Sequence, residues 1–124
     1  MLNPEGMREL TEAERGIMDA LLKASFPGRD KLRRLLYDAI VSNIDEMGSL
    51  KIQSIVDLSA DTAKRVPVEA EVSDLDGVAI HVLLHVMNGK PVELEIYKED
   101  GSALLSAIDT SRLETLVLPP NPQA

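Results

Sequence analysis

Apolar residues recur at helical spacing in the first third of the chain. Thr11 is followed three residues later by Glu14, and this pair can bond the free amide groups at the start of a helix. The Pro27-Gly28 pair ends that helix, because proline fixes its own backbone and disfavours helix in the residue before it. A second helix is predicted to begin near Arg29, where a new apolar stripe starts.

From about residue 40 the apolar positions alternate with polar ones, which is typical of strands with one buried face. Asp76-Gly77 and Asn88-Gly89 are turn sequences between such segments. We therefore predict an α+β domain over residues 1–118, with two N-terminal helices packed on an antiparallel β-meander of four to five strands. Residues 119–124 are predicted to form an extended, proline-containing tail. The predicted strands cover residues 40–44, 50–58, 66–72, 78–86 and 92–96.

The hairpin around Asn88-Gly89 can be built with a loop of two or of three residues. A two-residue loop would pair Val82 with Glu95 and mix the buried and solvated faces. A three-residue loop that begins at Met87 pairs Val82 with Leu94 and keeps the faces separate, so we predict that loop. It also places His81 opposite Glu95.

The two predicted periods together define a hydrophobic core. Its members are the residues on the inner helix stripes and on the apolar strand positions. The predicted core consists of Ile17, Leu21, Leu32, Leu35, Leu36, Ile52, Val56, Val68, Val72, Ile80, Val82, Leu84, Leu94 and Ile96.

Four polar residues of this hairpin are the candidate catalytic or metal-binding group: His81, His85, Glu93 and Glu95. The two histidines are about 13 Å apart along a strand, which is too far for one ion to bind both rings. One histidine with one or two glutamates would hold a metal weakly, and the two glutamates are about 7 Å apart, a separation that inverting glycosidases use. The alternative is a cross-strand pair of a histidine with a carboxylate, on a solvated or helix-covered face, that has no catalytic role. We adopt that interpretation and predict no metal and no cofactor.

The composition excludes several classes of function. The chain has no Cys, so disulfides, thiolate metal sites and a cysteine nucleophile are excluded. Two Tyr and one Phe are too few for a stacking surface for single-stranded nucleic acid. The formal net charge of −8 disfavours binding to nucleic acid and to anionic membranes. No secretory signal and no apolar run of about 20 residues is present, so we expect a cytoplasmic protein.

One local group of basic residues stands against this acidic balance. It is predicted to be the solvated face of the second helix, and the alternative is a docking site for an acidic partner. The group consists of Arg29, Lys31, Arg33 and Arg34.

Several segments resemble a family of small single-domain bacterial proteins of unknown function. The resemblance implies a single α+β domain and a bacterial source, but no activity, because none is established for the family. In the relatives a stretch rich in Gly and Cys corresponds to residues 46–52, which contain no Cys here. The similar segments are LLKASFPG at 21–28, VPVEA at 66–70, LLHVMNGK at 83–90 and LEIY at 94–97.

Three functions are compatible with these observations. We predict a non-catalytic interaction or regulatory module that associates with itself as a homodimer or with another protein. The reason is that the edges and the second face of a sheet must be covered or protected, and a dimer is a common way to do so. The first alternative is a small-molecule binding or hydrolytic domain with a site near His81, His85 and Glu95. The second is an acidic antagonist, similar to an immunity protein, that is steered onto a basic partner.

Overall fold

The structure of the protein is a computed structural model that describes residues 6–60, 62 and 65–117. The predicted tail over residues 119–124 lies outside the described residues. Within them the chain forms two α-helices, seven strands and a 3₁₀ turn before the last strand, and neither helix is long and apolar enough to cross a membrane. The elements are β1 (Arg8–Glu9), α1 (Glu12–Leu21), α2 (Arg29–Tyr37), β2 (Ile40–Asn43), β3 (Leu50–Gln53), β4 (Val68–Ser73), β5 (Ala79–Met87), β6 (Lys90–Lys98), the 3₁₀ turn (Thr110–Arg112) and β7 (Glu114–Leu116).

The start of α1 is the predicted capping box. The Thr11 hydroxyl accepts a hydrogen bond from the Glu14 amide at 3.1 Å, and the Thr11 amide donates to the Glu14 carboxylate at 2.8 Å. Arg8 donates to both oxygens of the same carboxylate at 2.8 and 2.9 Å. Glu14 therefore caps α1 and ties it to the short strand β1.

Two arginines of the basic group bind the carbonyl end of α1. The last turn of α1 contains no basic residue, and its free carbonyl groups would attract a cation. Arg29 and Arg33 of α2 donate to the Leu22 carbonyl at 3.1 and 3.0 Å. The prediction of a solvated basic face holds for Arg33 and Arg34, which are exposed, whereas Arg29 is half-buried. Arg29 and Arg33 also complete the end of the preceding helix.

The sheet has seven strands in the order β1-β2-β3-β6-β5-β4-β7, and all its pairs are antiparallel. This confirms the α+β class and corrects the predicted number of four to five strands. The sheet is also not a simple meander, since β3 pairs with β6 instead of β4. Ala60, in the connection from β3 to β4, contacts the tip of the β5–β6 hairpin: its amide donates to the Gly89 carbonyl at 2.8 Å.

The β5–β6 hairpin differs from the prediction in its loop. Asn88 and Gly89 both have positive φ, 53° and 72°, and Met87 pairs with Lys90, so the loop has two residues. A register shift beyond His85 leaves Val92 as an extra residue in β6. The predicted three-residue loop is wrong. The apolar and polar faces of the hairpin are still separate, because the bulge shifts β6 by one residue and pairs Leu84 with Leu94.

The buried side chains form one cluster that contains residues of both helices and of the sheet. Every predicted core residue is buried except Val56, which is half-buried and packs against the cluster. Along β5 the buried residues are the even-numbered ones from Ile80 to Val86. The odd-numbered residues of β5 therefore point to the opposite face of the sheet.

We expect Gly89→Ala to destabilise the protein. The left-handed backbone costs a residue with a Cβ about 1–2 kcal/mol, and the added Cβ would lie 2.5 Å from the Ala60 carbonyl oxygen. The matched control is Gly77→Ala, which has a φ of +83° and no atom within 4 Å of its added Cβ. Urea denaturation of both variants measures the difference. Equal losses would show that the contact with Ala60 contributes nothing.

Candidate functional site

The sheet face opposite the core carries all four candidate residues from the sequence. We call it the open face. On β5 it presents His81, Leu83 and His85, which are half-buried. Register places glutamates of the neighbouring strands on both sides of this row. Its other members on β4, β6 and β7 are Glu69, Glu71, Glu93, Glu95, Tyr97, Glu114 and Leu116.

His81 is held between an aromatic ring and two carboxylates. Its ring stacks on Tyr97 with centroids 4.8 Å apart and an interplanar angle of 19°. Its Nδ1 lies 3.7 Å from a Glu71 oxygen, and its Nε2 lies 3.3 Å from a Glu99 oxygen. Tyr97 is its cross-strand partner, so the predicted position opposite Glu95 is wrong. The two-residue loop and the bulge together shift β6 by two residues from the predicted register.

His85 lies at the other end of the row and contacts a different set of carboxylates. Glu93, which was predicted to lie near His85, is its direct cross-strand partner. The His85 Nε2 donates to Glu95 Oε1 at 2.8 Å. One ligand atom from each of these three residues lies within 4.8 Å of the other two. Among the residues that the structure describes, these three side chains form a group that could hold a metal ion.

The electrostatic character of the open face is acidic. Glu69 and Glu71 flank the β5 row on one side, and Glu93 and Glu95 flank it on the other. Lys51 of β3 is the cross-strand neighbour of Glu93. The charge of the face is therefore dominated by its carboxylates.

A shallow cavity adjoins the open face where β4 meets β7. It has a volume of about 300 Å³. Three glutamates, one histidine and one threonine supply its polar side chains. Its lining residues are Glu69, Ala70, Glu71, His81, Glu114, Thr115 and Leu116.

A buried ion network at the end of β6 was missed at the sequence level. The Lys98 Nζ lies 3.0 Å from an Asp74 oxygen and 2.7 Å from an Asp76 oxygen, and the side chains of Lys98 and Asp74 are both fully buried. Lys98 follows Leu94 and Ile96 on the core side of β6. This alternation was the sequence signal that could have predicted a buried lysine. The network joins the β4–β5 turn to the segment after β6.

Hydrogen bonds hold the pKa of the Asp74 carboxyl low. The Leu105 amide donates to it at 2.8 Å, the Leu75 amide donates at 2.8 Å, and the Lys98 ammonium adds its charge. These contacts outweigh burial and lower the pKa of Asp74 from 3.8 to about 2. Contacts with Asp76 and Asp74 raise the pKa of Lys98. The network is therefore ionised at neutral pH and has a structural role.

Fold and site together define an α+β domain with one core-forming sheet face and one acidic face. The family model described as "Domain of unknown function (DUF6984)" matches residues 7–108. The chain belongs to this family, which confirms the predicted membership in a small single-domain family of unknown function. No curated protein and no solved structure gives a significant match to the chain.

Proposed function

We propose that this protein is a non-catalytic interaction module whose open face binds a basic protein partner. The observation that carries the proposal is the pair of glutamate rows beside the β5 row. Glu69 and Glu71 lie on one side of it, and Glu93 and Glu95 lie on the other. An antagonist that binds a basic enzyme or toxin is one form of this function.

The spacing of the glutamate rows suits a cationic surface. The rows lie on strands two positions apart, which separates their backbones by roughly 10 Å. Lys or Arg side chains inserted above the row would be attracted from both sides, while their aliphatic parts would contact Leu83 and Tyr97. Tyr97 is 41% exposed, so an aromatic contact is accessible at the His81 end of the face.

The same charge argues against a dimer through the open face. Two copies would bring like charges together, and the chain already has a formal net charge of −8. The homodimer expected from the sequence remains a prediction, and it would require another surface. The hydrolytic alternative near His81, His85 and Glu95 is less well supported, because the cavity beside the open face is lined by His81 and not by His85 or Glu95.

The proposal is tested with a charge-neutralised row. We expect the double variant Glu69→Gln and Glu71→Gln to bind the partner about tenfold more weakly than the unmodified protein. The matched control is Glu46→Gln with Asp57→Asn, which removes the same net charge from exposed residues outside the open face. Partners are captured from native extract at low salt and quantified by mass spectrometry.

The supporting result is a stoichiometric basic protein that the control variant retains, that the double variant loses and that high salt releases. Equal retention by both double variants would contradict the role of the open face. Capture of an acidic or salt-insensitive species would contradict the charge complementarity.

A further inference from the structure

We propose that His85, Glu93 and Glu95 form a binding site for a divalent transition-metal ion of the Zn²⁺ class. This site shares Glu93 and Glu95 with one of the two glutamate rows of the open face, but it is tested without a protein partner. It departs from the sequence-based prediction of no metal. It uses one imidazole nitrogen and two carboxylate oxygens, and water would complete the shell. Such mixed sets of nitrogen and oxygen ligands are typical of Zn²⁺ sites with an open coordination position.

The three ligand atoms are close to the spacing that a metal requires. Zn–N and Zn–O bonds of about 2.0–2.2 Å place the ligand atoms of a tetrahedral site roughly 3.3–3.5 Å apart. The His85 Nε2 and the Glu95 oxygen are 2.8 Å apart, and all three ligand atoms lie within 4.8 Å of one another. Zn²⁺ would displace the Nε2 proton that His85 donates to Glu95, and small rotations of the Glu93 and Glu95 side chains would complete the site.

The bulge at Val92 is the structural cause of this convergence. Near the turn, Met87 pairs with Lys90 and Val86 pairs with Pro91. If that register continued without the bulge, His85 would face Val92, and both glutamates would point to the core side of β6. The extra residue turns Glu93 and Glu95 to the face that carries His85.

The surroundings favour a cation at this point. Glu93 and Glu95 carry like charges two residues apart on one strand face, and a divalent ion would neutralise both. The side chain of His85 is 19% exposed and that of Glu95 is 39% exposed, so the site is partly desolvated and still open to an ion. The imidazole ligand selects Zn²⁺ over Mg²⁺, which prefers oxygen ligands only.

His81 provides a natural comparison on the same strand. Its two ring nitrogens face different carboxylates, Glu71 at Nδ1 and Glu99 at Nε2. The stack on Tyr97 fixes the ring between them. One ion cannot reach a single nitrogen and both carboxylates in this arrangement, so His81 is not expected to bind the metal.

The experiment is calorimetric titration of untagged, chelator-treated protein with ZnCl₂ and, in parallel, with MgCl₂. We expect one Zn²⁺ per chain and no measurable Mg²⁺ binding at the same concentrations. Removal of a ligand in His85→Ala or Glu95→Gln is expected to weaken Zn²⁺ binding at least about tenfold. The matched control His81→Ala is expected to change the affinity less than about twofold, since His81 does not contribute a ligand.

A measurement on the unmodified chain keeps the test independent of variant folding. Imidazole ¹⁵N resonances followed during the Zn²⁺ titration are expected to shift for His85 and to stay constant for His81. Three results would overturn the proposal: no saturable binding up to about millimolar Zn²⁺, several equivalent ions per chain in every variant, or an equal loss in His81→Ala. These titrations contain no protein partner, so their failure would leave the partner proposal unaffected.

Discussion

Lys98→Ala is expected to lower the melting temperature by about 10 °C or more, or to prevent folding. The substitution leaves the Asp74 carboxylate buried without its ammonium partner, and unpaired buried charges are strongly destabilising. Thermal unfolding followed by circular dichroism measures the effect. The matched control is Lys51→Ala on β3, an exposed lysine of the same sheet, which is expected to change the stability by less than about 0.5 kcal/mol. Equal melting temperatures for the two variants would show that the network does not stabilise the fold.

The same network gives the stability a dependence on acid. The folded-state pKa of Asp74, about 2, lies below its ordinary value of 3.8. The folded protein therefore binds this proton less readily than the unfolded chain, and the contribution to stability is complete above pH 3.8 and is lost as the pH falls towards 2. A milder variant, Asp76→Asn, is expected to move the acid-unfolding midpoint to higher pH, because it removes the ion pair between Asp76 and Lys98. An unchanged midpoint would contradict this assignment.

Leu84→Ala is expected to lower the free energy of unfolding by about 2–4 kcal/mol, because it removes buried apolar atoms and leaves a cavity. Leu84 is fully buried at the centre of β5, where it pairs with Leu94. The matched control is the next residue, Leu83, which has the same side chain and is half-buried on the open face. Urea denaturation of Leu84→Ala and Leu83→Ala separates the two faces of one strand. Equal losses would show that the assignment of faces is wrong.

The local features of the fold could be predicted from the sequence because local chemistry determines them. Thr11 with Glu14 marked the start of α1, Pro27 with Gly28 marked the break, and alternation separated the two faces of β5. Parity alone also placed the four candidate site residues on one face. What it could not give was their partners, because cross-strand pairing depends on register.

The predicted register of the β5–β6 hairpin was wrong, in part because one extra residue, Val92, shifts the pairing. The bulge at Val92 follows Pro91, which has no amide proton to donate to the ladder, and no periodicity marks such a position. Two other features of the sheet could not be predicted from the sequence pattern, for different reasons. β1 has two residues and β7 has three, too few to show a period. The pairing of β3 with β6 joins segments about 40 residues apart, which local patterns do not encode.

The order of strands also determines how the protein resists aggregation. A strand at the edge of a sheet exposes unpaired amide and carbonyl groups that can recruit another chain and begin a fibril. Here the outermost strands are β1 and β7, with two and three residues, while the nine-residue strands β5 and β6 have neighbours on both sides. The segments with the greatest capacity for intermolecular β-pairing are thus sequestered in the native state. Partial unfolding that releases β4 and β7 would expose β5, so we expect fibril formation to follow loss of that edge.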